Sequence, residues 1–275
     1  MPRRTPVSQA IPAKPPPANT NARFVVTGAS LPGPKAGAGT EAVHAMLVDV
    51  TINWLLLHGT PLTPAVWDGV LPLLAARGTP VAPAVVVSDD RRTQADIAAG
   101  LAIKPHQSPP PWHVVGHSFG GQVALELALQ RPDLVSELTL LCTRDTPYPP
   151  FIAAADNVAA GHADVYGALR RWFSPTELAD NGPVVRYART TLENTEAAPW
   201  AAAMKAISTF DCSAATASLT CPTLVVAAEH DEVSDPATMA AMHQRLAGSE
   251  FVILDDFWHM SVFTDSQRLA KLLAR

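Results

Sequence analysis

Residues 112–130 read WHVVGHSFGGQVALELALQ, and this stretch decides the fold. Its first five residues, 112–116, join an aromatic ring to paired valines, as a short buried strand requires. Residues 122–130 set apolar side chains at helical spacing and stop before Pro132, whose ring disfavours further helix. Between strand and helix lies Gly116-His117-Ser118-Phe119-Gly120, extended by Gly121. A serine with glycine two places before and after it, in that frame, occupies a tight and strained turn. The turn crowds the flanking positions, so they must be small. Ser118 then presents its hydroxyl at a helix N-terminus, whose dipole favours developing negative charge. Without the strand and the helix, a bare GxSxG is a weak motif.

Outward from this point the chain alternates short strand patterns with helical ones, the signature of α/β organisation. Residues 48–57 read as a buried strand ending at His58-Gly59. A helix is expected over 67–77 with Gly78 as its C-cap, then a second strand over 81–87. Thr93 opens a helix over 93–101, and Pro109-Pro110-Pro111 bars regular structure before the central strand. A further strand covers 138–142. Between about 146 and 218 the strand signals vanish, and helical spacings recur at 165–173, 184–192 and 199–207. Strand 223–227, helix 236–246, strand 251–254 and a terminal helix from Ser266 complete the series. The expected fold class is α/β, a mostly parallel central sheet with flanking helices and a helical cap inserted at about 146–218.

The first forty residues are different. They hold Arg3, Arg4, Lys14, Arg23 and Lys35, no Asp or Glu, and eight prolines. Removing these five cations leaves 15 basic against 25 acidic residues, so the remainder carries −10. Residues 1–44 are therefore expected to be a disordered Pro-rich basic tail, and 45–275 the folded domain. Arg3-Arg4 is followed by no apolar stretch long enough for a secretory signal. Overall the 275-residue chain is 48% hydrophobic and 16% charged, which suits a sizeable core and argues against wholesale disorder. Its net charge of −5 offers no general attraction to nucleic acid or to an anionic membrane. The apolar runs are too short to span a bilayer. Cys142, Cys212 and Cys221 form no metal-ligand spacing and read as thiols in a reducing compartment, so a cytoplasmic location is expected.

Four features in order give the chain its resemblance to the α/β-hydrolase superfamily. His58-Gly59-Thr60-Pro61 follows an apolar strand and precedes Trp67, like the oxyanion loop of that superfamily. Ser118 lies in the nucleophile turn. Pro222-Thr223-Leu224-Val225-Val226 followed by Glu229-His230-Asp231 resembles the strand and acid turn. Residues 251–255 lead to Trp258-His259-Met260-Ser261, which is similar to the histidine loop before the last helix. The resemblance covers residues 48–275 and keeps the order Ser, Asp, His. The chain departs from the pattern ahead of the oxyanion loop, where residues 23–28 could supply only one strand. It departs again at Ser88-Asp89-Asp90-Arg91-Arg92, where a Gly-rich turn is usual.

The resemblance implies a catalytic triad. A serine is a poor nucleophile near neutral pH and needs a base to take its proton. His259, 28 residues beyond Asp231, fills that place, accepting the Ser118 proton and returning it to the leaving group. Asp231 would orient His259; its rivals are Glu229 and Glu232 on the same turn, and Asp145 after the preceding strand. The backbone N–H groups of Thr60 and Phe119 would form the oxyanion hole, Pro61 having none to offer. His58 reads as structural, and His117 could shape the pocket. Trp172, Phe173, Trp200 and Met204 in the insertion suit either a substrate pocket or a small cap core. His162, His230 and His243 make no metal-ligand spacing, no nucleotide loop is present, and neither a metal nor a cofactor is expected.

The function implied is hydrolysis of a small carboxylic ester or lactone through an acyl-enzyme on Ser118. Within the superfamily, Arg171-Trp172-Phe173-Ser174-Pro175 and the closing His-Met-Ser are similar to enol-lactone hydrolases and cofactor-free haloperoxidase-like esterases. Perhydrolysis and carbon–carbon bond hydrolysis use the same triad and stay open. So does a non-catalytic homologue that binds a small molecule without turning it over. The expected partner is a small-molecule substrate, with neither nucleic acid nor membrane.

Overall fold

The computed structural model describes residues 51–88, 93–104 and 106–274. The expectations for residues 1–44, and the strand considered at 23–28, lie outside the described residues. Six strands form one sheet: β1 (Ile52–Leu57), β2 (Gly78–Val81), β3 (Trp112–His117), β4 (Val135–Leu141), β5 (Thr223–Ala228) and β6 (Glu250–Leu254). Their spatial order is β2-β1-β3-β4-β5-β6, and every neighbouring pair is parallel. This is the α/β class read from the sequence, an open parallel sheet with flanking helices.

Parallel strands are covered on both faces, so their sequences are apolar throughout rather than alternating. In β3 all six residues are buried, and in β1 the run from Trp54 to Leu57 is fully enclosed. Side chains still alternate between faces. Leu56, Val115, Leu141 and Val226 join one core, with Trp54, Trp67 and Phe263. Leu55, Val114, Leu140 and Val225 join the other, with Phe119, Leu125 and Leu127 of the central helix. That helix, α3 (Phe119–Gln130), begins directly after Ser118.

Three expectations near the start need correction. The segment 67–77 is not one helix: a 3₁₀ turn (Pro64–Trp67) is followed by the short α1 (Leu71–Ala75), with a proline in the first turn of each. Gly78 is not a C-cap but opens β2, where Ile52 of the neighbouring strand occupies the space a Cβ would need. The second strand ends at Val81 instead of running to Val87. Val85 and Val87 are buried and Val86 exposed, which imitates a strand, but Val85 donates its N–H to His58 Nε2 at 2.9 Å. Beyond it, α2 (Gln94–Ile103) has the expected Thr93 cap, completed by Asp96 as a capping box.

The stretch between β4 and β5 is helical: α4 (Phe151–Ala159), α5 (Val165–Trp172), α6 (Pro175–Asp180), α7 (Pro183–Asn194), α8 (Ala197–Thr209) and α9 (Ser213–Thr216). After β5 come α10 (Pro236–Arg245) and, at the end, α11 (Ser266–Leu273). Among the described residues no helix is long and apolar enough to cross a membrane.

Asp145, fully buried just after β4, accepts two bonds from Arg245 at 2.9 and 2.6 Å and one from the Thr216 hydroxyl at 3.0 Å. Asp145 is fully buried while the Arg245 side chain is 31% exposed, so loss of the cation leaves a carboxylate that water reaches from one side only. Arg245→Met is therefore expected to cost about 3 kcal/mol, read as a lower urea midpoint. Any activity should persist in the folded fraction; a selective loss of activity with unchanged stability would refute this structural role.

Candidate active site

Ser118 has φ 53° and ψ −120°, a backbone state that costs an L-residue roughly 1–3 kcal/mol. Two bonds hold it there: its N–H donates to the Leu141 carbonyl at 3.0 Å, and the Thr143 hydroxyl donates to its carbonyl at 2.7 Å. The turn is as crowded as the sequence implied. A Cβ on Gly116 would come 2.5 Å from the Gly120 carbonyl oxygen, and one on Gly121 would meet Thr143 Cβ at 2.5 Å.

His259 lies in the loop after β6, buried to 4% exposure. Its Nδ1–H donates to Asp231 Oδ2 at 2.6 Å. The loop is fixed from three sides. Met260 N–H donates to the Trp172 carbonyl at 2.9 Å, Trp258 N–H to the Ser261 hydroxyl at 3.0 Å, and His117 Nε2–H to the His259 carbonyl at 3.0 Å. The Ser261 hydroxyl in turn donates to Glu177 Oε2 at 2.8 Å, and Thr264 Oγ1 to Glu177 Oε1 at 3.1 Å. Glu177 also closes the capping box of α6 with Ser174.

Asp231 sits on the turn after β5 at 3% exposure. Its Oδ1 accepts from the N–H groups of Val233 at 2.8 Å and Ser234 at 3.0 Å. Burial on its own would raise the carboxyl pKa, but His259 and these N–H donors outweigh it and hold the group below 3.8. Of the four carboxylates considered, Asp231 is the one that meets His259. Asp145 is engaged by Arg245, Glu229 accepts from Asp256 N–H at 2.7 Å, and Glu232 is exposed.

The structure thus brings Asp231 and His259 into contact. Ser118 is next to His117, whose ring centroid lies 4.9 Å from that of His259. Among the described residues no hydrogen bond joins the Ser118 hydroxyl to His259, and the N–H groups of Thr60 and Phe119 have no acceptor. Both of those residues line a cavity of about 590 Å³, walled by Leu62, Val85, Val87, Trp200 and Ala203. Of the insertion residues singled out from sequence, Trp200 faces this cavity. All four are buried in one core, but Trp172, Phe173 and Met204 do not line the cavity; the Trp172 ring lies 6.4 Å from that of His259.

His58 is structural, as expected. Its Nε2 accepts from Val85 N–H, so its proton is on Nδ1, which donates to the Gly59 carbonyl at 2.9 Å. Burial lowers the pKa of His58 to about 4, of His113 to about 4 and of His117 to about 3. An unfolded chain takes up protons on these rings below about 6.5, while the folded one does not until near pH 4. Acid therefore favours unfolding. Across pH 6 to 4.5 stability is expected to fall by up to about 1.4 kcal/mol per pH unit for each ring. Thermal melts across that range test it, and a flat profile would mean the rings are not held neutral.

His117, Cys142 and His259 are the three metal-ligating side chains that approach one another among the described residues, with ligand atoms within 4.8 Å. Asp231 already engages His259 Nδ1, and the His259 carbonyl engages His117 Nε2. Burial first, and Asp231 beside it second, hold the Cys142 thiol protonated, which opposes the thiolate a metal needs. The trio fits the hydrogen-bonded site better than a metal centre. Sequence reading missed Glu177 and the Val233 and Ser234 donors. The Ser174-x-x-Glu177 capping signature was legible, but its bonds to residues 84 and 87 positions away were not.

The model of the alpha/beta hydrolase family matches residues 54–272. The chain is 34% identical over 109 residues to the lipase LipV of Mycobacterium tuberculosis, covering 40% of this chain and 38% of that protein. It is 27% identical over 150 residues to (E)-2-((N-methylformamido)methylene)succinate hydrolase of Acinetobacter baylyi, covering 52% and 56% respectively. The matches thus span about half the length, or less, of these curated relatives. Among solved structures, the enol-lactonase of Burkholderia xenovorans superposes with a TM-score of 0.76 at 19% identity, covering 82% of this chain and 90% of that one.

Proposed function

We propose that this chain, which belongs to the alpha/beta hydrolase family, is a serine hydrolase acting on a small carboxylic ester or lactone. The observation that carries the reading is the buried 2.6 Å contact of His259 Nδ1 with Asp231, at the same sheet edge as the strained turn of Ser118. With its Nδ1–H committed to Asp231, His259 offers Nε2 as a base. Ser118 Oγ attacks the substrate carbonyl carbon as its proton passes to Nε2. The oxygen that becomes negative accepts from Thr60 N–H and Phe119 N–H, two donors with no other acceptor among the described residues. Collapse of the tetrahedral species releases the alcohol, which takes the proton from His259 and leaves an acyl group on Ser118. Water, deprotonated by the same nitrogen, then frees the acid and restores the hydroxyl.

The helical segment between β4 and β5 acts as a cap over this site, with Trp200 on the cavity wall. The relatives' names agree in kind: a lipase, a substituted-succinate hydrolase and an enol-lactonase. Three unpaired cysteines accord with a cytoplasmic setting. A fluorophosphonate probe should label the protein, with the adduct mapped to Ser118, and p-nitrophenyl butyrate should turn over. Folded protein that does neither would refute the reading and favour a binding role for the same fold.

A further inference from the structure

The cavity beside Thr60 and Phe119 has a definite polarity. Its inner wall is apolar and buried: Leu62, Val85, Val87, Phe119 and Trp200. Its mouth, where α7 gives way to α8, carries Thr190, Thr191, Asn194 and Thr195, which are neutral, and the exposed carboxylate of Glu196. Among the described residues no Lys, Arg or His lines it.

We infer that this site selects uncharged substrates, an ester or lactone on an aliphatic skeleton, and discriminates against substrates that carry a second, free carboxylate. The inference rests on the serine-hydrolase reading for its chemistry, but its selectivity is a property of the cavity alone. A carboxylate entering between valines and a tryptophan surrenders its hydration and meets no cation among the described residues in return. On the way in it passes Glu196, a like charge. A methylene chain gains on the same wall. The transfer value of about 0.8 kcal/mol per CH₂ corresponds to roughly a fourfold gain in binding for each carbon added.

Two measurements separate the cavity from the chemistry. The first compares binding of 2-octanone and 7-oxooctanoate, a ketone and its counterpart ending in a carboxylate, by calorimetry on the full chain. Neither can be hydrolysed, so the result stands whether or not Ser118 is a nucleophile. The expected preference for the neutral ketone is about tenfold; any value above threefold upholds the inference. A smaller preference, or one for the acid, overturns it.

The second compares kcat/KM for p-nitrophenyl butyrate and mono-p-nitrophenyl succinate in wild type and Glu196→Lys. The neutral ester should lead by about tenfold, and the lysine should narrow that lead by roughly threefold, since the mouth charge is solvent-screened. A lead untouched by the substitution would overturn the part assigned to Glu196. If neither ester turns over and no fluorophosphonate adduct forms, the hydrolase reading fails, while the ketone comparison still decides the polarity of the cavity.

Discussion

Ser118→Ala is expected to lower kcat on a p-nitrophenyl ester by about a millionfold, the scale seen when a triad serine is removed elsewhere. Alanine keeps the Cβ but has no nucleophile, so no acyl-enzyme can form. His259 and the Thr60 and Phe119 N–H groups remain, and they can assist only a direct attack by water. Folding should be unaffected. The bonds that hold the turn use the backbone of Ser118, not its hydroxyl, and alanine meets the same positive φ with the same Cβ. The measurement is steady-state turnover beside a thermal melt. An intact melt with turnover retained would remove Ser118 from the mechanism.

Asp231→Asn should cost about 10⁴ in kcat. The asparagine oxygen can still accept from Val233 and Ser234, which turns its NH₂ toward His259 Nδ1. That nitrogen must then accept, so the imidazole proton moves to Nε2, where it blocks uptake of the Ser118 proton. In the wild type the Asp231 carboxyl is held below 3.8. Its contribution to stability is therefore complete above an unfolded value near 4 and fades as pH falls through the lower folded value. Asparagine has no such titration, so the variant should lose that acid-side term. A variant within tenfold of wild type would assign the orienting role to another group.

The parallel sheet was legible because its strands are both apolar and punctuated: Leu55 to Leu57 before His58-Gly59, and Val114-Val115 before the Ser118 turn. The serine turn was legible because its crowding dictates glycine. Contacts that close across the fold were not. The difference between Val81–Val87 as a strand and as a buried loop lies in the partner of Val85 N–H, which is a histidine ring 27 residues earlier. Apolar aromatics say only that a side chain avoids water. Trp172 and Trp200 look alike in sequence and both join one core, and docking of the helices lets Trp200 alone of the two also wall the cavity. At the acid turn the family-like spacing favours Asp231 over Glu229 and Glu232, and the structure adds its contact with His259.

The bonds of Glu177 have a consequence for how this molecule breathes. Its carboxylate joins α6 to Ser261 and Thr264, and the Trp172 carbonyl joins α5 to Met260. The loop bearing His259 and these two helices are therefore expected to open together in local unfolding. In amide hydrogen exchange, Met260 should lose its protection in the same opening event as the helix around Glu177. On the proposed reading, lifting α6 would disturb the loop of His259 as well, so substrate is expected to enter by the mouth lined by Thr190, Thr191 and Glu196 instead.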